Sequence, residues 1–182
     1  MIRVCIVVLL LFGLNGKTDA QAPEELQGTL ASTVGGGFSG LARIRILINE
    51  YTTDAEAQEV FEILADEGAR ALEAHLLRVE KGRFIRVGEL GYNLSFARSF
   101  TTETGRIIRL ATARPIAFAE AAGASRSRDY NFGVIELTLD NEGKGSGVLW
   151  AATKLEFDDE GQLQIESYGI PSLNITEISV QD

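Results

Sequence analysis

The sequence predicts an α+β fold, in which a mostly antiparallel sheet of six to seven strands carries a two-helix insert on one face. Three observations lead to this prediction. An early strand is followed by two adjoining helical patterns, apolar and polar residues alternate with a period of two through most of the chain after Gly82, and short turns rich in Gly and Asp join the later strands.

The first strand and the helical insert lie between residues 39 and 80. Alternating apolar residues from Ser39 to Tyr51 predict a strand. Thr53 and Glu56 match the capping-box pattern that starts a helix. Gly68 is expected to end that helix, and a second helix is expected from Ala69 to Glu80. Two short helices joined this closely should pack as one layer on the sheet.

The remaining strands are predicted from period-two alternation between turn residues. They are expected at Phe84–Val87, Tyr92–Phe100, Arg106–Arg114, Tyr130–Leu139, Gly147–Phe157, Gln162–Tyr168 and Leu173–Val180. A change of parity in the last strand predicts a β-bulge. Because some strands are apolar on both sides, both faces of the sheet should be covered, and one of them should meet the helices. The other should either close into a half-barrel or be covered by a partner. We expect residues 39–182 to form a single domain.

The N-terminus has the layout of a secretory signal peptide. Arg3 precedes an apolar run from Val4 to Leu14 that is too short to span a bilayer, and a polar stretch follows it. Cleavage after Ala20 would give an exported protein, periplasmic or extracellular, with a flexible lead-in over residues 21–38 and no membrane anchor. The only cysteine, Cys5, lies in this leader, so we expect the mature chain to have no disulfide and no thiolate.

The charge of the chain is uneven. The whole sequence has 17 Lys and Arg against 26 Asp and Glu, a net charge of −9, which argues against nucleic acid and anionic membrane surfaces as partners. Residues 98–128, in contrast, contain six arginines and two glutamates.

Two interpretations of this arginine-rich segment are open. In one, the arginines lie on an exposed strand face and pair across the sheet with Glu136, Glu156 or Glu166. In the other, they bind a small anionic ligand, because guanidinium groups commonly bind carboxylate and phosphate. This candidate anion site consists of Arg98, Arg109 and Arg114 from neighbouring strands and of Arg126, Arg128 and Asp129 from the adjoining loop.

The sequence contains no legible catalytic or cofactor motif. Gly35, Gly37 and Gly40 match the pattern GxGxxG, but they precede a strand, whereas a dinucleotide site needs them to open a helix. His75 is the only histidine and is expected on the flank of a helix. With no second histidine and no thiol in the mature chain, we expect no cofactor and assign no metal ligand.

A carboxylate-dependent hydrolase is one alternative to a binding protein. The acids at 140–142 and 158–160 lie in predicted turns, where solvation gives no reason for the raised pKa that acid catalysis needs. Glu136, Glu156 and Glu166 are better placed on strands, and two of them within about 10 Å would favour this alternative.

The stretches "GELGYNLSFARS" (88–99), "RPIAFAEA" (114–121) and "SRDYNFGVIELTLDNEGKGSGVL" (127–149), together with residues 51–72, resemble a family of secreted bacterial proteins with no established activity. The resemblance covers most of the mature chain and implies export and a single domain, without any catalytic residues. The leading hypothesis is a non-catalytic exported domain that binds a small anionic molecule or an envelope component. A third interpretation is a protein-interaction module with Trp150 on an exposed sheet face, although a core position for this residue is the stronger expectation.

Overall fold

The computed structural model describes residues 6–7, 23–32, 40–117, 130–157, 163–167 and 172–181, and the elements below lie within them. The strands are β1 (Ile6–Val7), β2 (Glu24–Ser32), β3 (Gly40–Ile48), β4 (Gly82–Arg86), β5 (Tyr92–Leu94), β6 (Phe96–Thr102), β7 (Gly105–Thr112), β8 (Phe132–Asp140), β9 (Lys144–Phe157), β10 (Leu163–Ser167) and β11 (Leu173–Gln181). The helices are α1 (Asp54–Asp66) and α2 (Ala69–Leu76), both inserted between β3 and β4.

The strands form one antiparallel sheet that is nearly barrel-shaped. Hydrogen-bonded neighbours follow the order β5-β4-β3-β2-β11-β9-β8-β7-β6, and β10 extends the sheet from the second half of β9. The two ends of this order, β5 and β6, are consecutive in the chain and are separated only by Ser95. The backbone N–H of Ser95 donates to the carbonyl of Ala111 on β7 at 2.8 Å. The chain itself therefore joins the two ends of the sheet.

The α+β class and the antiparallel sheet are confirmed, but the prediction of six to seven strands was wrong: nine strands form the continuous order, β10 extends it, and the two-residue β1 pairs only with β10. One extra strand is β2, which occupies residues expected in the flexible lead-in and pairs with both β3 and β11. Gly28 hid this strand by interrupting its apolar alternation. A Cβ atom at Gly28 would lie 2.7 Å from Cδ1 of Ile178, so the packing leaves no room for a side chain there.

The second extra strand arises because side-chain alternation reverses at Ser95. Leu94 and Ala97 both belong to the inner core, whereas Phe96 packs with the helices. In a regular strand, residues 94 and 97 would face opposite sides of the sheet. The reversal at Ser95 lets the chain leave β4 and join β7, as bulges do at the corners of barrels.

Backbone groups at this corner are paired by segments that are distant in sequence. The N–H of Lys81 donates to the carbonyl of Leu94 at 2.7 Å. Thr52 makes two hydrogen bonds to the backbone of Ala97. Its own N–H donates to the Ala97 carbonyl at 2.6 Å, and its hydroxyl accepts from the Ala97 N–H at 3.0 Å. The segment that precedes α1 therefore supplies the hydrogen bonds that a neighbouring strand would otherwise give.

Two apolar clusters lie on the two faces of the curved sheet. The inner cluster fills the near-barrel and includes Leu26, Leu30, Ile44, Ile46, Ile48, Phe84, Ile108, Leu110, Ile135, Leu137, Leu149 and Ile175. The outer cluster joins the helices to β8 and β9 and includes Ala57, Val60, Leu64, Leu72, Leu76, Phe132, Val134, Trp150 and Leu155. Strands β8 and β9 are thus covered on both faces, which explains why their sequences are apolar on both sides.

The local helix signals are largely confirmed. The Glu56 N–H donates to the Thr53 hydroxyl at 3.3 Å, and the Thr53 N–H donates to the Glu56 carboxylate at 2.8 Å, which together form the predicted capping box. Gly68 follows α1 with a φ of 82°, a conformation that favours glycine. Helix α2 ends at Leu76 instead of Glu80, and the N–H groups of Arg78 and Val79 that follow donate to carbonyls three residues back instead of four, in a tighter closing turn.

The predicted bulge in the last strand is confirmed, since the register of β11 shifts between Thr176 and Ser179 and the intervening Glu177 has a φ of 54°. At the N-terminus, Ile6–Val7 pairs with the outer edge of β10. The rest of the predicted leader, including Ala20, lies outside the described residues, so export remains a prediction. None of the helices described is both long enough and apolar enough to cross a membrane.

Trp150 lies in the core and not on an exposed sheet face, with 8% of its surface accessible beneath the helices. We expect Trp150→Ala to lower the free energy of unfolding by about 3–5 kcal/mol, because it leaves a cavity between the two layers. Trp150→Phe should cost less. Denaturant unfolding measures both losses, and the single tryptophan should emit at shorter wavelength when folded than when unfolded. A loss of unfolding free energy below about 0.5 kcal/mol for Trp150→Ala, which is typical of substitutions at exposed positions, would contradict this packing.

Candidate functional site

The described arginines of the arginine-rich segment divide between buried and exposed positions. Arg98 on β6 and Arg109 on β7 are direct register partners, whereas Arg114 follows the end of β7. Arg98 and Arg109 are buried, and Arg114 is exposed. The three remaining members of the candidate site, Arg126, Arg128 and Asp129, lie outside the described residues.

Both buried arginines have carboxylate partners within the fold. Nη2 of Arg98 donates to Asp54 at the start of α1 at 2.6 Å, and Nε of Arg109 donates to Glu136 on β8 at 2.7 Å. Both guanidinium groups also lie over the ring of Phe100, at 5.4 and 5.1 Å from its centroid. Nε of Arg98 is buried without a hydrogen-bond partner. The carboxylates of the fold thus pair with both arginines, as in the first interpretation of the segment, and a ligand at these two positions stays a prediction.

The carboxylates named for a hydrolase also have partners. Glu136 accepts from Arg109, Glu156 pairs with Lys154 on its own strand, and Glu166 accepts from the hydroxyl of Tyr130 at 2.8 Å. In the turn between β8 and β9, Asp140 accepts backbone N–H groups from residues 142 and 144, both at 2.9 Å, so its role there is to close the turn.

Arg114 borders a cavity of about 400 Å³ beside the Ser95 corner. The lining residues are Leu77, Val79, Leu90, Gly91, Tyr92, Asn93, Ser95, Thr112, Ala113 and Arg114. The wall combines apolar side chains with a few polar groups, as small-molecule sites do. Arg114 is the only charged residue among the described lining residues, and it has no ion pair with another described residue.

Two exposed leucines line the Arg114 cavity. Leu90, in the turn between β4 and β5, is 92% exposed, and Leu77, at the end of α2, is 48% exposed. Both line the Arg114 cavity. Exposed apolar side chains beside a concave site with one guanidinium can contact the apolar part of a ligand that also carries a negative charge.

A second cavity, of about 220 Å³, adjoins the first, because Val79 and Ser95 line both. Its charged and titratable lining residues are Glu56, Glu59, His75 and Lys81. The Lys81 ammonium is buried and donates to Glu50 at 2.6 Å and to Glu56 at 2.8 Å. His75 lies on the flank of α2, as predicted, with Nδ1 3.7 Å from the Glu59 carboxylate.

The ion pairs of Lys81 fix its charge and that of Glu56. Burial lowers the pKa of Lys81, but its bonds to the two glutamates outweigh this effect, so the net pKa is raised. Partial burial raises the pKa of Glu56, but bonds from Lys81 and Thr53 outweigh it, so the net pKa is lowered. At neutral pH Lys81 is protonated and Glu56 ionised, so neither has a proton poised for transfer.

No protein-family model, curated protein or solved structure matches this chain. The resemblance to a secreted bacterial family therefore stays a prediction. Among the described residues, no three His, Cys, Asp or Glu side chains are grouped so as to hold a metal ion.

Sequence reasoning placed Arg114 in a ligand site but missed the rest of the lining. Leu77 had been expected inside a helix, and Leu90 was not singled out. The exposed Leu90 in "VGELGY" was the one available signal, because a large apolar residue in a polar turn has no local structural reason.

We expect Glu136→Gln to lower the free energy of unfolding by about 2 kcal/mol, because it leaves the buried Arg109 without a counter-charge. Adding Arg109→Met should cost less than the sum of the two single changes. Denaturant unfolding of the cycle measures this coupling. Glu156→Gln is the matched control, since its partner Lys154 lies on the same strand and a surface pair contributes little. Additive losses would contradict the pairing.

We expect the stabilising effect of Glu56 to depend on pH. Its pKa lies below the ordinary value of 4.5, so its contribution is complete above that pH and is lost as the pH falls through the lowered pKa. The difference in unfolding free energy between the natural chain and Glu56→Gln should therefore be constant near neutrality and shrink under acidic conditions. Unfolding curves across this range test it, and a difference that grew on acidification would contradict the assignment.

Proposed function

We propose that this protein is a non-catalytic binding domain for a small amphipathic anion, which it holds in the Arg114 cavity. One observation carries the proposal: the cavity contains a guanidinium group with no carboxylate among its described lining residues. A ligand carboxylate or phosphate would be the complement of that charge. Leu77, Leu90 and Tyr92 would contact the apolar part of the same molecule.

The volume and composition of the cavity support a small molecule as the ligand. About 400 Å³ lies near the lower end of the volumes typical of small-molecule sites, so a short-chain acid fits better than a folded partner. Asn93, Ser95 and Thr112 add hydrogen-bonding groups that orient a ligand. Export would bring this site into contact with envelope or extracellular solutes.

A binding role is favoured over hydrolysis because the titratable groups are engaged. Lys81 and Glu56 are fixed in their charged states, and Glu136, Glu156 and Glu166 each have a partner. The hydrogen-bond partners of the carboxylates decide this, and not the separation of about 10 Å that a catalytic pair would need. Glu56, Glu136 and Glu156 accept from a cation, and a carboxylate stabilised in its charged form in this way is a poor general acid.

We expect octanoate to bind the full-length chain and Arg114→Gln to weaken that binding roughly tenfold, because a partly exposed charge-assisted hydrogen bond contributes about 1.4 kcal/mol. Arg43→Gln is the matched control, since Arg43 is an exposed arginine on β3 outside the described lining. Leu77→Ser should weaken octanoate without affecting acetate. Isothermal titration calorimetry measures the affinities of the natural chain and of the three variants. Equal affinities for the Arg114 and Arg43 variants would show that the guanidinium does not hold the anion.

A further inference from the structure

The Arg114 cavity lies beside a strand edge that has no partner strand among the described residues. Strand β5 ends the order of the sheet, and it pairs with β4 on one side only. Tyr92 and Asn93 of β5 line the cavity, and so do Ala113 and Arg114, which follow the end of β7. Residues of a strand edge therefore form one wall of the cavity.

This edge is left unpaired because the chain changes neighbours at the Ser95 corner. The pairing of β6 with β7 begins at Phe96, and an extension of the same register would place Asn93 opposite Arg114. Asn93 is instead the register partner of Arg83 on β4. The two strands therefore diverge beyond the corner, and residues of both line the cavity.

Backbone hydrogen bonds show which residue of β5 points away from β4. The Val87 N–H donates to the Arg43 carbonyl on β3 at 2.9 Å. In an antiparallel pair this orientation repeats at every second residue, so the backbone groups of Arg83 also face β3. Arg83 therefore cannot bond the backbone of Asn93 as well. The N–H and carbonyl of Asn93 point away from β4, and no described residue bonds them.

From this arrangement we infer that the ligand is a short peptide, whose C-terminal carboxylate lies at Arg114 and whose backbone adds as a strand to the outer edge of β5. The inference rests on the proposed function and specifies its ligand class. The added strand would donate an N–H to the Asn93 carbonyl and accept the Asn93 N–H. An apolar C-terminal side chain would contact Leu77 or Leu90, which line the same cavity.

A peptide uses groups of this cavity that a fatty acid leaves unpaired. Octanoate offers a carboxylate to Arg114 and apolar carbons to the leucines, but it offers nothing to the backbone of Asn93. Backbone N–H and carbonyl groups that a ligand covers need hydrogen bonds in place of those to water. Strand addition to a sheet edge and capture of a C-terminal carboxylate are both recurrent modes of peptide recognition. The volume of about 400 Å³ suits about two or three residues.

The first test compares N-acetyl-Ala-Leu with two N-methylated forms, one for each amide N–H, by calorimetry on the full-length chain at neutral pH. Successive N–H groups of a strand point to opposite edges, so only one of the two faces β5. We expect one methylated form to bind about tenfold more weakly and the other to bind as the parent does. The C-terminal amide of the parent lacks the carboxylate and should also bind about tenfold more weakly, as the parent does to Arg114→Gln.

Asn93→Pro tests the same pairing from the side of the protein. Proline lacks the N–H, and an edge strand tolerates it where that N–H faces away from the neighbouring strand. Its ring also lies on the edge that the peptide would approach, so the difference between the parent and the weaker methylated form should disappear. Asn93→Ala is the matched control, since it keeps the backbone N–H and should keep that difference. Unfolding midpoints check that both variants fold.

The outcomes separate this inference from the proposed function. If the two methylated forms bind with equal affinity while octanoate binds through Arg114, strand addition is wrong and the proposed function stands. If neither octanoate nor the peptides bind, the proposed function itself is wrong. A second copy of the chain is the alternative occupant of the β5 edge. Analytical ultracentrifugation would show it as a dimer that Asn93→Pro dissociates, and this result would overturn the peptide as the occupant.

Discussion

The structure depends on the corner at Ser95, where the chain stops pairing with β4 and begins to pair with β7. Leu94 is the last residue paired with β4, and Phe96 is the first paired with β7. Side-chain direction reverses between them, and Thr52, Lys81 and Ala111 take up the backbone groups that this reversal frees. The same corner closes the sheet, anchors the entrance to α1 and forms the shared wall of both cavities. Closure of the sheet and the presence of the two cavities therefore have a single structural cause.

Electrostatic pairing follows the same geometry. The arginines that stand out in the sequence have carboxylate partners on other elements. Glu136 on the neighbouring strand β8 pairs with Arg109, whereas Asp54 on α1 for Arg98 and Glu24 on β2 for Arg106, at 2.9 Å, come from elements that do not pair with the arginine's own strand. Each pair removes one positive charge from the apparent cluster. Arg114 lies beyond the end of β7, outside this cross-strand pairing, and it is the arginine that borders a cavity. The excess of positive charge in the sequence thus reduces, among the described residues, to one exposed guanidinium.

The sequence predicted features that depend on neighbouring residues and missed those that depend on closure. The capping box at Thr53, the stop at Gly68 and the bulge in β11 are encoded within a few residues, and all three are confirmed. Cross-strand pairing of Arg109 with Glu136 was one of two open interpretations, because β7 and β8 are consecutive strands. Strand β2, the Lys81 ion pairs and the two cavities were missed. Each arises from contacts between segments far apart in the chain, and Gly28 shows how such packing erases the local pattern.

The arrangement of charge also bears on how the site would operate. Lys81 holds the N-terminal turn of α1 through Glu56 and precedes β4 directly, so the helix layer and the corner are tied together by one buried ammonium. In the proposed binding role, cavities lined by elements fixed in this way exist before any ligand arrives, and little conformational entropy is lost on binding. Leu77 and Leu90, in contrast, lie just after α2 and in the turn between β4 and β5, outside the ion pairs of Lys81.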